Sequence, residues 1–210
     1  MISGSTISHA QSLSEELGLA LSAANAAGKV IAGGYGKTNR IQSKDLGDLV
    51  SEIDLEADRI ACEILSQQSD LPIVSEELHS DSSGLADTWI VDPLDGTKDF
   101  IQGTGNYAMH LALNFRQKPY IGFVLIPDKN QLWITDGKKT WCEKRDGSKY
   151  EPILLKNRNL HEMTLVTSKN HGNETLRNLI QQINFCKVQI MGSIGCKIAS
   201  IVRGESDIYI

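Results

Sequence analysis

Nowhere in the 210 residues does an apolar run approach the ~18 residues that a membrane-crossing helix needs. Met1 to Ser12 also lacks the basic and apolar regions of a secretory leader. The expectation is a soluble, cytoplasmic chain with no membrane partner. Cysteine is scarce as well. Cys62, Cys142, Cys186 and Cys196 are scattered without C-x-x-C spacing, which argues against a zinc site or a disulfide framework and favours reduced core thiols. A basic excess is missing: 21 Lys and Arg face 26 Asp and Glu, for a formal charge of −5 with no clustered basic stripe. That argues against a partner made of polymeric nucleic acid, while a small nucleotide stays compatible with a locally basic pocket. No repeat, low-complexity tract or long linker is present. The sequon at Asn173 would matter only in a secreted chain.

What is present is concentrated between Trp89 and Phe100, W-I-V-D-P-L-D-G-T-K-D-F. Trp89-Ile90-Val91 reads as a buried strand that runs straight into a turn. Pro93 fixes one backbone angle there and Gly96 admits conformations that a side chain resists. Asp92 and Asp95 lie three residues apart across that turn, and Thr97 adds a hydroxyl. Asp-Pro and Asp-Gly pairs are also ordinary turn chemistry. A second acidic strand exit, Ser75-Glu76-Glu77 after Leu71-Pro72-Ile73-Val74, makes a site the better reading. Carboxylates that converge on one point need a cation, and a hard divalent ion such as Mg²⁺ suits oxygen ligands.

The elements around these exits follow from periodicity. Leu17, Leu21, Ala24, Ala27 and Val30 predict a helix over Ser14 to about Ile31, stopped by Gly33-Gly34. Tyr35 to Gly47, with Lys37, Arg40 and Lys44, reads as a loop or hairpin. Ile53, Ala57, Ile60, Ala61 and Ile64 predict a helix over Ser51 to Ser66. Asp54 sits in its first turn, where the helix dipole favours a carboxylate whether or not it has a function. Residues 107 to 142 read as strands joined by tight turns. A strand at Met163 to Thr167, a helix at Glu174 to Ile183, a strand at Val188 to Ile190, a helix at Cys196 to Arg203 and a strand at Asp207 to Ile210 follow. The expected organisation is a layered α+β unit over residues 1–159 and a second α/β subdomain over 160–210.

Asp92 to Thr97, D-P-L-D-G-T, resembles the signature of the Mg²⁺-dependent inositol monophosphatase superfamily. Glu76-Glu77 resembles its partner motif, and Asp48 to Asp54, D-L-V-S-E-I-D, its helix-entry motif, all in family order. The two residues between Asp92 and Asp95 separate the chain from phosphatases built on D-x-D-G-T. The resemblance implies an α-β-α-β sandwich whose C-terminal α/β subdomain is incomplete here. It implies Mg²⁺ held by Glu76, Asp92, Asp95 and the Leu94 carbonyl, with Thr97, oriented by Asp54, and Glu76 as the catalytic groups. Asp95 and the Gly96 and Thr97 amides would meet the substrate, and a basic loop near Arg40 could reach over the metal.

Lys98-Asp99-Phe100 is similar to the G-T-K-[ED]-F of 3'(2'),5'-bisphosphate nucleotidases, where inositol phosphatases more often carry G-T-T-N-F. Thr167 to His171 and Met191 to Lys197 resemble that branch's S-x-x-H and G-S-x-x-x-K stretches, which makes His171, Ser193 and Lys197 candidate nucleotide contacts. Taken singly, such residues are more often an exposed His, a helix cap and a solvated Lys. The implied reaction is removal of the 3'-phosphate from 3'-phosphoadenosine 5'-phosphate. Hydrolysis of inositol 1-phosphate or a sugar phosphate, and an inactive fragment that keeps metal and phosphate binding, are the alternatives. A homodimer is compatible with the resemblance. The family's later W-D-x-A motif, which brings one more metal-binding aspartate, has no counterpart, and Ile208-Tyr209-Ile210 reads as a truncated strand.

Overall fold

The computed structural model describes residues 4–35, 41–43, 49–77, 87–154, 156–169 and 174–210. The basic residues Lys37, Arg40 and Lys44, Asp48, His171 and the sequon Asn173 lie outside them.

Helix α1 (Gly4–Gly34) starts earlier than the apolar stripe predicts and ends on the expected glycine pair. The strands β1 (Ile41–Ser43) and β2 (Leu49–Ser51) pair antiparallel, the hairpin option for this region. Helix α2 (Glu52–Gln68) follows directly, with Asp54 in its first turn. Then come β3 (Ile73–Ser75), β4 (Thr88–Asp95), a six-residue helix α3 (Thr97–Gln102), β5 (Ala108–Phe115), β6 (Lys118–Ile126), β7 (Gln131–Thr135), β8 (Thr140–Lys144) and β9 (Lys149–Tyr150). These strands form one seven-stranded sheet in sequence order, antiparallel except for the parallel pair β3 and β4. The C-terminal stretch adds β10 (Thr164–Ser168), α4 (Glu174–Ile183), β11 (Lys187–Met191), α5 (Ile194–Val202) and β12 (Ile208–Tyr209). Its three strands form a parallel sheet in the order β11-β10-β12.

Small residues set the spacing of the layers. Ala20, Ala23, Ala24 and Ala27 of α1 and Ala57 and Ala61 of α2 are fully buried, so both helices approach the sheet closely over Trp89, Leu111, Leu113, Ile121 and Phe123. The opposite sheet face carries Ala108, Ile126, Trp133 and Cys142, which pack on Cys196 and Ala199 of α5. Helix α5 also touches the strands of the second sheet, so it is the layer between the two sheets. The resulting α-β-α-β stack leaves Cys62, Cys142 and Cys196 buried as free thiols and Cys186 exposed.

Two sequence expectations change here. The Asp92-to-Asp95 stretch is not a turn leaving the strand. It is an irregularity within β4: Asp92 pairs with His110 and Asp95 with Ala108, three steps on β4 against two on β5. The extra residue bulges the strand and re-aims its side chains. Helix α3 was not foreseen, because six residues are too few to show a helical period.

Candidate metal and phosphate site

Parallel pairing brings the two acidic strand exits together. Ser75 is in register with Val91 and the Glu76 amide donates to the Val91 carbonyl at 3.1 Å, so Glu76, just past the end of β3, comes beside Asp92, which continues in β4. The Glu76 carboxyl lies close enough to Asp92 for its charge to act on it. On the other flank, β5 sets His110 opposite Asp92, and its Nε2 donates to Asp95 Oδ2 at 3.1 Å. From behind, α2 brings buried Asp54 to Thr97, with Oδ2 3.3 Å from Thr97 Oγ1, while the Leu94 carbonyl lies 3.0 Å from the same hydroxyl. Thr97 has one proton for two acceptors.

The chain turns into α3 at Gly96, whose φ of 92° is left-handed. A Cβ at this position would fall 2.8 Å from the Asn106 carbonyl oxygen. Gly96→Ala is therefore expected to cost about 1–2 kcal/mol for the backbone alone, with the clash in addition, read as a lower urea midpoint at unchanged m-value.

The electrostatics are those of anions crowded in a dry place. Burial, then Glu77, Asp92 and Glu76, push the Asp54 carboxyl up to about 8 against the hydrogen bond from Thr97. Burial raises Asp92 to about 7; His110 opposes the shift, and Glu76 and Asp95 reinforce it. Asp95 is half-buried, yet hydrogen bonds from His110, Ser193 and the Gly195 amide outweigh the desolvation and hold it below the ordinary aspartate value. The two aspartates of one motif are thus driven apart by their partners.

Asp92 Oδ1 is buried without a hydrogen-bond partner among the described residues. An orphaned anionic oxygen beside further carboxylates and a backbone carbonyl is a hard, oxygen-only donor set of the kind that divalent cations take. The donors fit such an ion by chemistry. They do not form a closed cage: among the described residues no three His, Cys, Asp or Glu side chains gather at gripping distance.

Two residues expected to face substrate are buried. Ser193 is wholly buried: its hydroxyl donates to Asp95 Oδ2 at 2.5 Å and accepts from the Cys196 amide at 3.1 Å, so the α5 cap faces the metal loop and not an open phosphate pocket. Lys197 is not solvated. It is 2% exposed, its Nζ donates to Ser168 Oγ at 2.7 Å and to the Gly192 carbonyl at 3.2 Å, and it lies over the Tyr209 ring. Among the described residues it has no carboxylate partner. Sequence reasoning missed His110, a single histidine inside an apolar strand with no motif around it. It also missed Asp58, buried one turn beyond Asp54 and accepting from Ser75 Oγ.

Acidic strand exits on a helix-backed sheet, followed by a Gly-Thr turn, define a class. The profile of the inositol monophosphatase family matches residues 12–210, and the chain belongs to that family. Its fold is the layered sandwich of that family. The 3'(2'),5'-bisphosphate nucleotidase CysQ of Buchnera aphidicola is 32% identical over 164 residues, covering 76% of this chain and 60% of the relative. The Nus factor SuhB of Pasteurella multocida is 27% identical over 210 residues, covering 92% and 74%. Among solved structures, CysQ of Bacteroides thetaiotaomicron superposes with a TM-score of 0.70 at 25% identity, over 93% of this chain and 79% of that one. An IMPase of Thermotoga maritima gives 0.79 at 23%, over 93% and 75%. An IMPase/NADP phosphatase solved with Mg²⁺ and phosphate gives 0.79 at 19%, over 95% and 75%. The chain spans about 60% of the length of the CysQ relative from Buchnera. Among the described residues no helix is long and apolar enough to cross a membrane.

Proposed function

We propose that the chain is a Mg²⁺-dependent phosphomonoesterase acting on a small phosphorylated substrate, with the 3'-phosphate of 3'-phosphoadenosine 5'-phosphate as the group removed. The observation that carries the phosphatase reading is the β3/β4 register, which sets Glu76 beside the orphaned Asp92 with the Thr97 and Asp54 pair behind them. Glu76, Asp92, Asp95 and the Leu94 carbonyl would hold the cation, with residues 1–159 as the metal-binding unit and 160–210 contributing to the substrate side. When bound, the cation supplies charge neutralisation of the phosphate and a water of lowered pKa.

The protein's own groups do the rest. Thr97 Oγ1, between the Leu94 carbonyl and Asp54, accepts a proton from the attacking water as it passes its own to Asp54 Oδ2. Glu76 orients the same water, and the Gly96 and Thr97 amides cradle phosphate oxygens. Water adds to phosphorus as the P–O ester bond breaks, the proton taken up by Asp54 returns through solvent to the ester oxygen, and inorganic phosphate and the alcohol result.

The nucleotide reading is supported by the similarity to CysQ sequences and by Lys197, a buried cation without a carboxylate partner among the described residues, which balances a second phosphate. Hydrolysis of inositol 1-phosphate is the second reading, favoured by the superposition on IMPase structures. Phosphate release from each compound, with Mg²⁺ and with EDTA, tests both. The expected result is Mg²⁺-dependent release with the nucleotide preferred. Preference for inositol 1-phosphate selects the second reading, and release from neither by the folded chain selects the inactive fragment.

A further inference from the structure

The side chain of Asp95 carries more hydrogen bonds than its place at a strand end requires, and all of them fall on one oxygen. Asp95 Oδ2 accepts from Ser193 Oγ at 2.5 Å, from the Gly195 amide at 3.1 Å and from His110 Nε2 at 3.1 Å. A carboxylate only accepts, so the three donors are unambiguous: the serine hydroxyl proton points at Asp95, and the imidazole carries its proton on Nε2. Ser193 is fully used, since it also accepts from the Cys196 amide. The Gly195 amide reaches this spot because position 195 has no side chain. A Cβ there would lie 2.7 Å from His110 Nε2, 2.8 Å from Ala108 Cβ and 2.9 Å from Val124 Cγ1.

We infer that Ser193, the Gly195 amide and His110 are positioning residues that lock Asp95 by Oδ2 and so present Oδ1 to the cation. The inference rests on the reading of Asp95 as a ligand and goes beyond it. The donors come from β5 and from the first turn of α5, a helix that also packs on the second sheet. Cation affinity is thereby tied to the docking of residues 160–210 on the metal loop, although the proposed ligands all lie before residue 96. A carboxylate locked in one rotamer loses less freedom on binding an ion, and partners one shell out from a metal typically change its affinity by about 10–100-fold.

The test is direct binding of Mn²⁺ as the probe ion, by electron paramagnetic resonance and calorimetry, to the full 210-residue chain. Wild type is compared with Ser193→Ala, His110→Ala, Asp95→Asn and the donor-preserving Ser193→Thr and His110→Gln, each checked by circular dichroism. The expected result is about a tenfold rise in Kd for each alanine variant, recovery in Ser193→Thr and His110→Gln, and a larger loss in Asp95→Asn. Turnover under Mg²⁺ titration should show a raised half-saturation with kcat recovered at saturation, which a general loosening of the fold would not give. Wild-type Mn²⁺ affinity in both alanine variants, with Asp95→Asn impaired, overturns the positioning role. Wild-type affinity in Asp95→Asn overturns the underlying assignment of Asp95 instead, so the two failures are distinguishable.

Discussion

Asp92→Asn is expected to abolish Mg²⁺-dependent phosphate release while raising the melting temperature of the metal-free protein at pH 8. Losing a direct ligand should exceed the 10–100-fold cost typical of an outer partner, so turnover should fall below about one hundredth of wild type. The gain in stability has a separate cause. Asp92 is half-buried, its buried Oδ1 has no hydrogen-bond partner among the described residues, and Glu76 and Asp95 repel its charge. A neutral amide removes that repulsion and can donate to Glu76. Relieving an unsatisfied buried group is worth about 1–3 kcal/mol, and each kcal/mol moves the melting temperature of a chain this long by about 2–4 °C. Asp95→Asn should do the opposite to stability. It also loses turnover, but it weakens three hydrogen bonds to a charged acceptor, so the metal-free protein should melt lower. Opposite shifts in two aspartates of one motif, read by calorimetry in EDTA, would set a carboxylate that awaits a cation apart from one already satisfied. Shifts of the same sign would contradict the assignment.

In EDTA the wild-type protein should lose stability as pH rises from 5 to 8, and Mg²⁺ should remove most of that slope. Asp54 titrates near 8 and Asp92 near 7 in the folded chain, whereas an unfolded aspartate titrates near ~3.9. Between those values the folded state binds protons that the unfolded state has released, so the slope of unfolding free energy with pH is negative. The contribution of these two carboxyls is fully present below about pH 4 and is lost as pH climbs through 7 and 8. His110, held above its ordinary value by Asp95 and Asp92 against burial, acts in the same direction. Asp95 is depressed, so its contribution is lost only in acid, outside this window. A fall of several degrees in melting temperature is expected from pH 5 to pH 8 without metal. Mg²⁺ added at pH 8 stabilises through its affinity for the folded state alone and should restore most of the loss. A flat or rising profile in EDTA would mean that these carboxyls are not the buried cluster described.

The helix stripes were legible because apolar residues recur at helical spacing, and α2 and α4 fall almost where the sequence puts them. The acidic exits were legible because each is an apolar run that ends abruptly in carboxylates. Ser193 and Lys197 were visible as residues, but their surroundings were not. A serine before a helix and a lysine within one look solvated in sequence, and only the packing of α5 between the two sheets buries them. His110 had no signal, since its partner lies 15 residues away across a strand pair.

The sequence by itself determined the class of this protein, because the acids, the glycine and the threonine of D-P-L-D-G-T are local, and local order sets which chemistry a strand end can offer. The tertiary structure decided how those groups are tuned. Whether an aspartate is orphaned and raised, as Asp92 is, or trebly bonded and lowered, as Asp95 is, depends on a parallel register, a bulge and a helix about 100 residues away, and burial and hydrogen bonding exist only once those elements have met.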